Sequence, residues 1–140
     1  MYLLDTNVVS ELRKVKPHKG VVAWIEAAPP ETMYVSAVTV GEIQAGIEIT
    51  RQQDAQKAQE IEGWLDSVAQ SYAILPADAA ILRRWAQLMH RRTDHHLEDG
   101  LIAATALVRG LTVVTRNVDD FEPFDVSLIN PFAPAPRGVR

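Results

Sequence analysis

Cysteine is absent from the 140 residues. That excludes structural disulfides, thiolate nucleophiles and sulfur-based metal sites, and it accords with a reducing compartment. Long apolar runs are lacking too: there is no basic leader followed by an extended hydrophobic stretch, and residues 2–4 already read as a core strand. A cytoplasmic location without a membrane segment is the expectation. Positive charge is in deficit, with 14 Lys and Arg against 18 Asp and Glu and a formal net charge of −4. No global field draws the chain to nucleic acid, so any phosphate has to be held by a local basic patch or by metal that the excess acid gathers.

What is present suits one compact domain. Hydrophobic residues at 47% and charged residues at 23% argue against disorder and against coiled coil. The expected domain covers residues 1–132, followed by a proline-containing tail at 133–140 that is extended, mobile or laid on a partner. Tyr2 to Leu4 reads as a first strand and Asn7 to Lys14 as a short helix, stopped by Pro17 and Gly20 in "KPHKG". Val21, Val22, Trp24 and Ile25 mark a second helix. "MYVS" is a second strand whose Ser36 can cap the helix carrying Val40, Ile43, Ile47 and Ile49. Ala58, Ile61, Leu65 and Val68 recur at helical spacing, "YAIL" is a third strand, and Ile81, Trp85 and Leu88 stripe the next helix. The alanine-rich "LIAATALV" helix stops at Gly110, and "LTVVT" and "VSLI" supply strands four and five. Strands alternating with helices predict an α/β fold of three layers, a mostly parallel central sheet flanked by helices. A ligand site then belongs at the C-terminal ends of the strands.

Four acids fall near that edge. Asp5 follows strand one, Glu42 lies about two turns into the helix after strand two, Asp99 opens the alanine-rich helix, and Asp119 follows strand four by a short loop. Gathered together, such carboxylates repel one another and call for a cation. Oxygen donors without sulfur suit Mg²⁺ or Mn²⁺, and such an ion can acidify a water for attack on phosphorus. Taken singly, each acid has a plainer reading as a helix cap, a turn former or a solvated surface group. A haloacid-type phosphatase wants a second aspartate two residues after Asp5, where Asn7 stands, and a receiver domain wants an aspartate where "YAILPAD" has proline.

The stretches "YLLDTNVVSE", "VSAVTVGEIQAGI", "EDGLIAATALVRGLTVVTRNVDDF" and "INPF" together resemble the PIN-domain ribonucleases. The likeness is greatest to the VapC-type toxins of bacterial toxin–antitoxin pairs, including the FitB-like branch, and runs from residue 2 to about residue 132. The resemblance implies a Mg²⁺-dependent endoribonuclease that acts on RNA as a homodimer and is neutralised by a cognate antitoxin. It implies that Asp5, Glu42, Asp99 and Asp119 are the catalytic acids and metal ligands. It places Thr6, with Asn7 beside it, after the first acid, Thr115 at the end of strand four, and Asn117 where an amide braces the acids. Gly100 departs from the commoner alanine and is expected to loosen its helix start by up to ~1 kcal/mol. A non-catalytic PIN-fold binding or regulatory protein is the competing reading.

The secondary candidates divide in the same way. Thr6 is placed to cap the first helix, and Ser10, one turn on, either supports the site or is an ordinary helix hydroxyl. Arg116, beside the strand-four edge, is the best-placed RNA-binding cation; Arg83, Arg84, Arg91 and Arg92 either rim the groove or form two solvated pairs at helix ends. His95 and His96 lack a spaced ligand set and read as loop residues. Glu98 and Asp120 adjoin two of the proposed ligands, and Trp24, Trp64 and Trp85 fill the core or a dimer seam. No aromatic pair of the ribonucleoprotein type is present.

Overall fold

The computed structural model describes residues 1–90, 92 and 97–134. Its elements run β1 (Tyr2–Leu4), α1 (Thr6–Glu11), α2 (Lys19–Ala27), β2 (Met33–Ser36), α3 (Ala37–Arg51), α4 (Ala55–Ser71) and β3 (Ala73–Leu75). There follow α5 (Ala79–Met89), α6 (Leu97–Arg109), β4 (Thr112–Val114), α7 (Val118–Phe121) and β5 (Leu128–Ile129). The five strands form one sheet in the order β3-β2-β1-β4-β5, every neighbour parallel. From β1 the chain builds outward to β2 and β3, then crosses to the other side for β4 and β5. The C-terminal end of β1 therefore lies at the point where the connections diverge, which opens a crevice in sheets of this kind.

The pleat assigns alternate side chains to opposite layers. Leu3 and Val113 point to one face, where Ile102, Ala103 and Ala106 of α6 pack with Phe121 and Phe124. Leu4, Val35 and Val114 point to the other, against Val8 and Val9 of α1, Val21 of α2 and Val68 of α4. The alanines of α6 give it a flat face that lies close on the sheet. Helices open on side-chain caps: Ser36 accepts from Val38 N at 3.0 Å, Asp54 from Lys57 N at 3.0 Å and Asp78 from Ile81 N at 3.0 Å.

Several local expectations shift. Asp5, rather than Thr6, caps α1. Gly20 sits in the first turn of α2 instead of breaking the chain. Ile49 is 66% exposed, off the buried face that Ile47 shares with Ala58 and Leu65. The short loop read between strand four and Asp119 includes the start of α7, which runs on into a 3-10 turn at Glu122–Phe124, with Phe121 and Phe124 buried. Gly100 is buried in the α5–α6 contact: a Cβ there would meet Met89 Sδ at 2.7 Å and Trp85 Cδ1 at 3.3 Å. The glycine therefore lets α5 approach α6, a gain that the expected loosening of the helix start omitted.

Candidate active site

Asp5 is 5% exposed and accepts three hydrogen bonds. Its Oδ1 accepts from Thr6 N at 2.8 Å, and its Oδ2 accepts from Thr115 Oγ1 at 2.8 Å and from Asn7 Nδ2 at 3.2 Å. Burial raises its pKa; the bonds from Thr115 and Thr6 oppose that rise, and the Asp99 charge adds to it. The parallel pairing of β1 with β4 brings Thr115 beside Asp5, and Asp5 N donates to Val114 O at 2.9 Å. Thr115 Oγ1 also accepts from Asn117 N at 3.0 Å and Asn7 Nδ2 at 3.3 Å, while Asn7 Oδ1 accepts from Arg116 N at 3.0 Å. One hydroxyl and one amide thus lock the ends of two strands together.

Glu42 reaches the same edge from α3. Its Oε1 lies 3.1 Å from Thr6 Oγ1, which is also 3.0 Å from the fully buried Thr39 Oγ1. A hydroxyl carries one proton, so Thr6 serves as a hinge between the two. Burial pushes the Glu42 pKa up to about 7, and the charges of Glu98, Asp5 and Asp99 push in the same direction. Asp5, Thr6, Asn7, Glu42, Asp99 and Asn117 line a cavity of about 260 Å³. A second cavity of about 310 Å³ shares Thr6 and Glu42 as its wall and continues past Ser10 and Arg13 to Ile47 and Trp64.

Residues 2–125 match the PIN domain family. The chain belongs to that family. Its relatives include the VapC ribonuclease Y4jK of Sinorhizobium fredii, 39% identical over 96% of this chain and 100% of that protein. Toxin FitB of Neisseria gonorrhoeae is 37% identical over 94% of this chain and 99% of its own. Among solved structures, FitAcB from Neisseria gonorrhoeae superimposes with a TM-score of 0.84 at 34% identity, covering 94% of this chain and 99% of that one.

In this PIN domain Asp5, Glu42 and Asp99 share the cleft, whereas Asp119 is exposed on α7 and is not part of its lining. Phe121, the buried residue of this single helical turn, packs into the core, while Asp119 two residues before it is exposed. Among the described residues no three Asp, Glu or His side chains stand ready as a metal cluster. The Asp99 charge raises the pKa of Asp5, and the charges of Glu98, Asp5 and Asp99 raise that of Glu42. An all-oxygen, mutually repelling set of this kind suits a hard divalent ion that keeps several waters.

The arginines separate by location. Arg116 is exposed beside the cleft. Arg83 and Arg84 are exposed on α5, where Arg84 Nη1 donates to Gln87 Oε1 at 3.2 Å. Arg92 is bound into the structure: it donates to Leu88 O at 2.6 Å and Pro123 O at 3.0 Å, and it lies 5.0 Å from the Phe124 ring centroid. Arg91, His95 and His96 lie outside the described residues.

Three groups were not singled out in the sequence. Thr39 braces Thr6. Arg13 lines the second cavity. Glu11 is 6% exposed, pairs with Lys14 Nζ at 2.9 Å and accepts from His18 N at 2.9 Å, interactions that lower its pKa. The only hint of Glu11 was its spacing of three from Val8, which puts an acid on a buried helix face.

Proposed function

We propose that the protein is a divalent-metal-dependent endoribonuclease that hydrolyses RNA phosphodiester bonds and serves as the toxin of a toxin–antitoxin pair. The observation that carries this reading is the cleft in which Asp5, Glu42 and Asp99 converge within a PIN fold. Family membership and the ribonuclease and toxin names of its relatives support the substrate and the biological role. Asp5, Glu42, Asp99 and Asp119 are the residues to hold Mg²⁺, with Mn²⁺ as a substitute; the first three line the cleft and Asp119 is exposed on α7. A bound divalent cation there supplies charge stabilisation at the phosphoryl oxygens and a water of lowered pKa.

The chain's own groups fix the geometry. Thr115 and Asn7 hold Asp5 Oδ2, and Thr6 holds Glu42 Oε1, so neither carboxylate has to reorganise as charge develops. Glu42, with Oε1 held by Thr6, is suited to orient the attacking water or to accept its proton. Asn117 N and Asn7 keep Thr115 in place behind Asp5. Ser10 lines the adjoining cavity, which shares Thr6 and Glu42 with the cleft.

The partners follow from the same reading: RNA, an antitoxin that covers the acidic cleft, and a second copy of this chain. Leu82 of α5 and Leu97 and Val108 of α6 are exposed apolar residues that a homodimer can cover. Among the described residues no helix is long and apolar enough to cross a membrane.

The deciding experiment is a cleavage assay with Mg²⁺ or Mn²⁺ on a transfer-RNA pool, messenger fragments and matched DNA. Chelator and Asp5→Asn are the controls. Wild type should cleave RNA, and Asp5→Asn should lose more than about a hundredfold in rate while keeping its fold. Equal cleavage by the folded variant rejects this site. RNA binding without any cleavage points instead to a non-catalytic PIN-fold binding protein.

A further inference from the structure

The "INPF" stretch shapes the resemblance, yet none of the chemistry above uses it. Its residues leave β5 and fold back toward the functional edge. Asn130 Oδ1 accepts from Phe132 N at 2.9 Å, which turns the chain. Pro131 is buried, and its carbonyl oxygen lies 2.6 Å from where a Cβ on Gly20 would stand, so only glycine in α2 admits this backbone. The Phe132 ring is thereby fixed between two side chains. His18 packs on it at 5.2 Å between ring centroids, tilted by 55°. The guanidinium of Arg116 lies over it, 4.7 Å from the ring centroid.

Arg116 is held at its other end by the catalytic framework. Its backbone N–H donates to Asn7 Oδ1, and Asn7 Nδ2 donates to Asp5. It stands between Thr115, which donates to Asp5, and Asn117, which lines the cleft. Glu11 feels the Arg116 charge, but its carboxylate is taken up by Lys14 and by His18 N. A long cationic side chain at the rim of an acidic cleft, with one face already stacked, loses little freedom when it binds phosphate.

We propose that Phe132 is a positioning residue for substrate binding: it presents the Arg116 guanidinium to an RNA phosphate flanking the one that lies at Asp5. The inference rests on the ribonuclease reading. It assigns the Asn130–Phe132 segment and Gly20 a part in RNA affinity through Arg116. The favoured ligand is a phosphodiester because the guanidinium offers planar, paired donors and the neighbouring acids already require a polyanion to be anchored from outside the cleft.

The test measures RNA binding separately from cleavage. Asp5→Asn protein is titrated against a fluorescein-labelled single-stranded RNA of mixed sequence, by anisotropy, over a range of salt. Arg116→Ala, Phe132→Leu, Phe132→Tyr and the Arg116→Ala/Phe132→Leu pair are compared in that background, with thermal melts to confirm folding. Arg116→Ala should weaken binding and reduce the salt slope by ~0.7, the value for one phosphate contact on a single strand. Phe132→Leu should weaken binding about two- to fivefold, as loss of an exposed cation–π contact implies, and should add nothing once Arg116 is gone. Phe132→Tyr should bind as the parent does. Unchanged affinity in folded Phe132→Leu, or an equal loss with and without Arg116, overturns the inference, as does an absence of RNA binding. Should Phe132→Leu lose its fold, Arg116→Lys keeps the charge and gives up the planar stack. Its affinity must then fall toward that of Arg116→Ala, and parental affinity overturns the proposal. Wild type that cleaves no RNA in Mg²⁺ defeats the ribonuclease reading, while the binding comparison still decides the role of Phe132.

Discussion

Glu42 is the residue at which burial and like charge act together. Its folded-state pKa of about 7 exceeds the ordinary 4.5, so the folded metal-free chain binds more protons than the unfolded chain across that interval. Stability attributable to Glu42 is present below about 4.5 and falls as pH rises through about 7, and the raised Asp5 acts with the same sign. Glu42→Gln keeps an acceptor for Thr6 and removes the charge. In chelator, its melting temperature relative to wild type should become more favourable from pH 5 to pH 8; a difference that does not change with pH would contradict the repulsion. Thr115 offers the opposite case. Thr115→Val keeps shape and strand propensity but strips a donor from Asp5 Oδ2 and an acceptor from Asn117 N. Urea unfolding should show a loss of about 1–3 kcal/mol, the range for a buried polar group left unpaired, and Thr115→Ser should recover most of it.

At the scale of elements, the α5–α6 contact turns on Gly100. Alanine there gains helix propensity of up to ~1 kcal/mol. Its Cβ meets Met89 Sδ, the movable end of a flexible side chain, so Gly100→Ala should lie within about 1 kcal/mol of wild type by urea unfolding. Valine crowds Met89 and Trp85 together and should cost roughly 1–3 kcal/mol. Gly100→Val combined with Met89→Ala should recover part of that loss; additive costs would show that the contact is not what fixes the glycine. The same helix pair sets the site, because α6 carries Asp99 in its first turn while its alanines lie against the sheet.

For the molecule as a whole, the net charge of −4 and the converging acids lead to the expectation that a divalent ion bound as proposed stabilises the folded form. Ligand binding to the native state alone raises stability by RT ln(1 + [L]/Kd). Melting temperature should therefore climb with Mg²⁺ or Mn²⁺ concentration for wild type and much less for Asp5→Asn. A rise of equal size in both would place the ion elsewhere. Sedimentation should give a species of twice the 15.5 kDa chain mass if the exposed apolar residues of α5 and α6 are covered by a second copy.

Local pattern was enough to establish the five strands, the longer helices between them and the place of Asp5. A short apolar strand followed by an acid leaves few alternatives, and Ser36 ahead of a periodic apolar stripe marks a helix start. The family resemblance singled out Glu42 and Asp99, which α3 and the first turn of α6 bring to the cleft that Asp5 lines. What the sequence could not decide depended on contacts between distant segments. Asp119 is exposed while Phe121, two residues on in the same one-turn helix, is fully buried. Arg92, one of five similar arginines in the chain's pattern, is drawn to the carbonyls of Leu88 and Pro123, while Arg116 is laid on Phe132. Glu11 is buried because residues 14 and 18 return to pair with it. Burial and partner choice are properties of the packed whole, and spacing along the chain carries no measure of which polar group will find its partner.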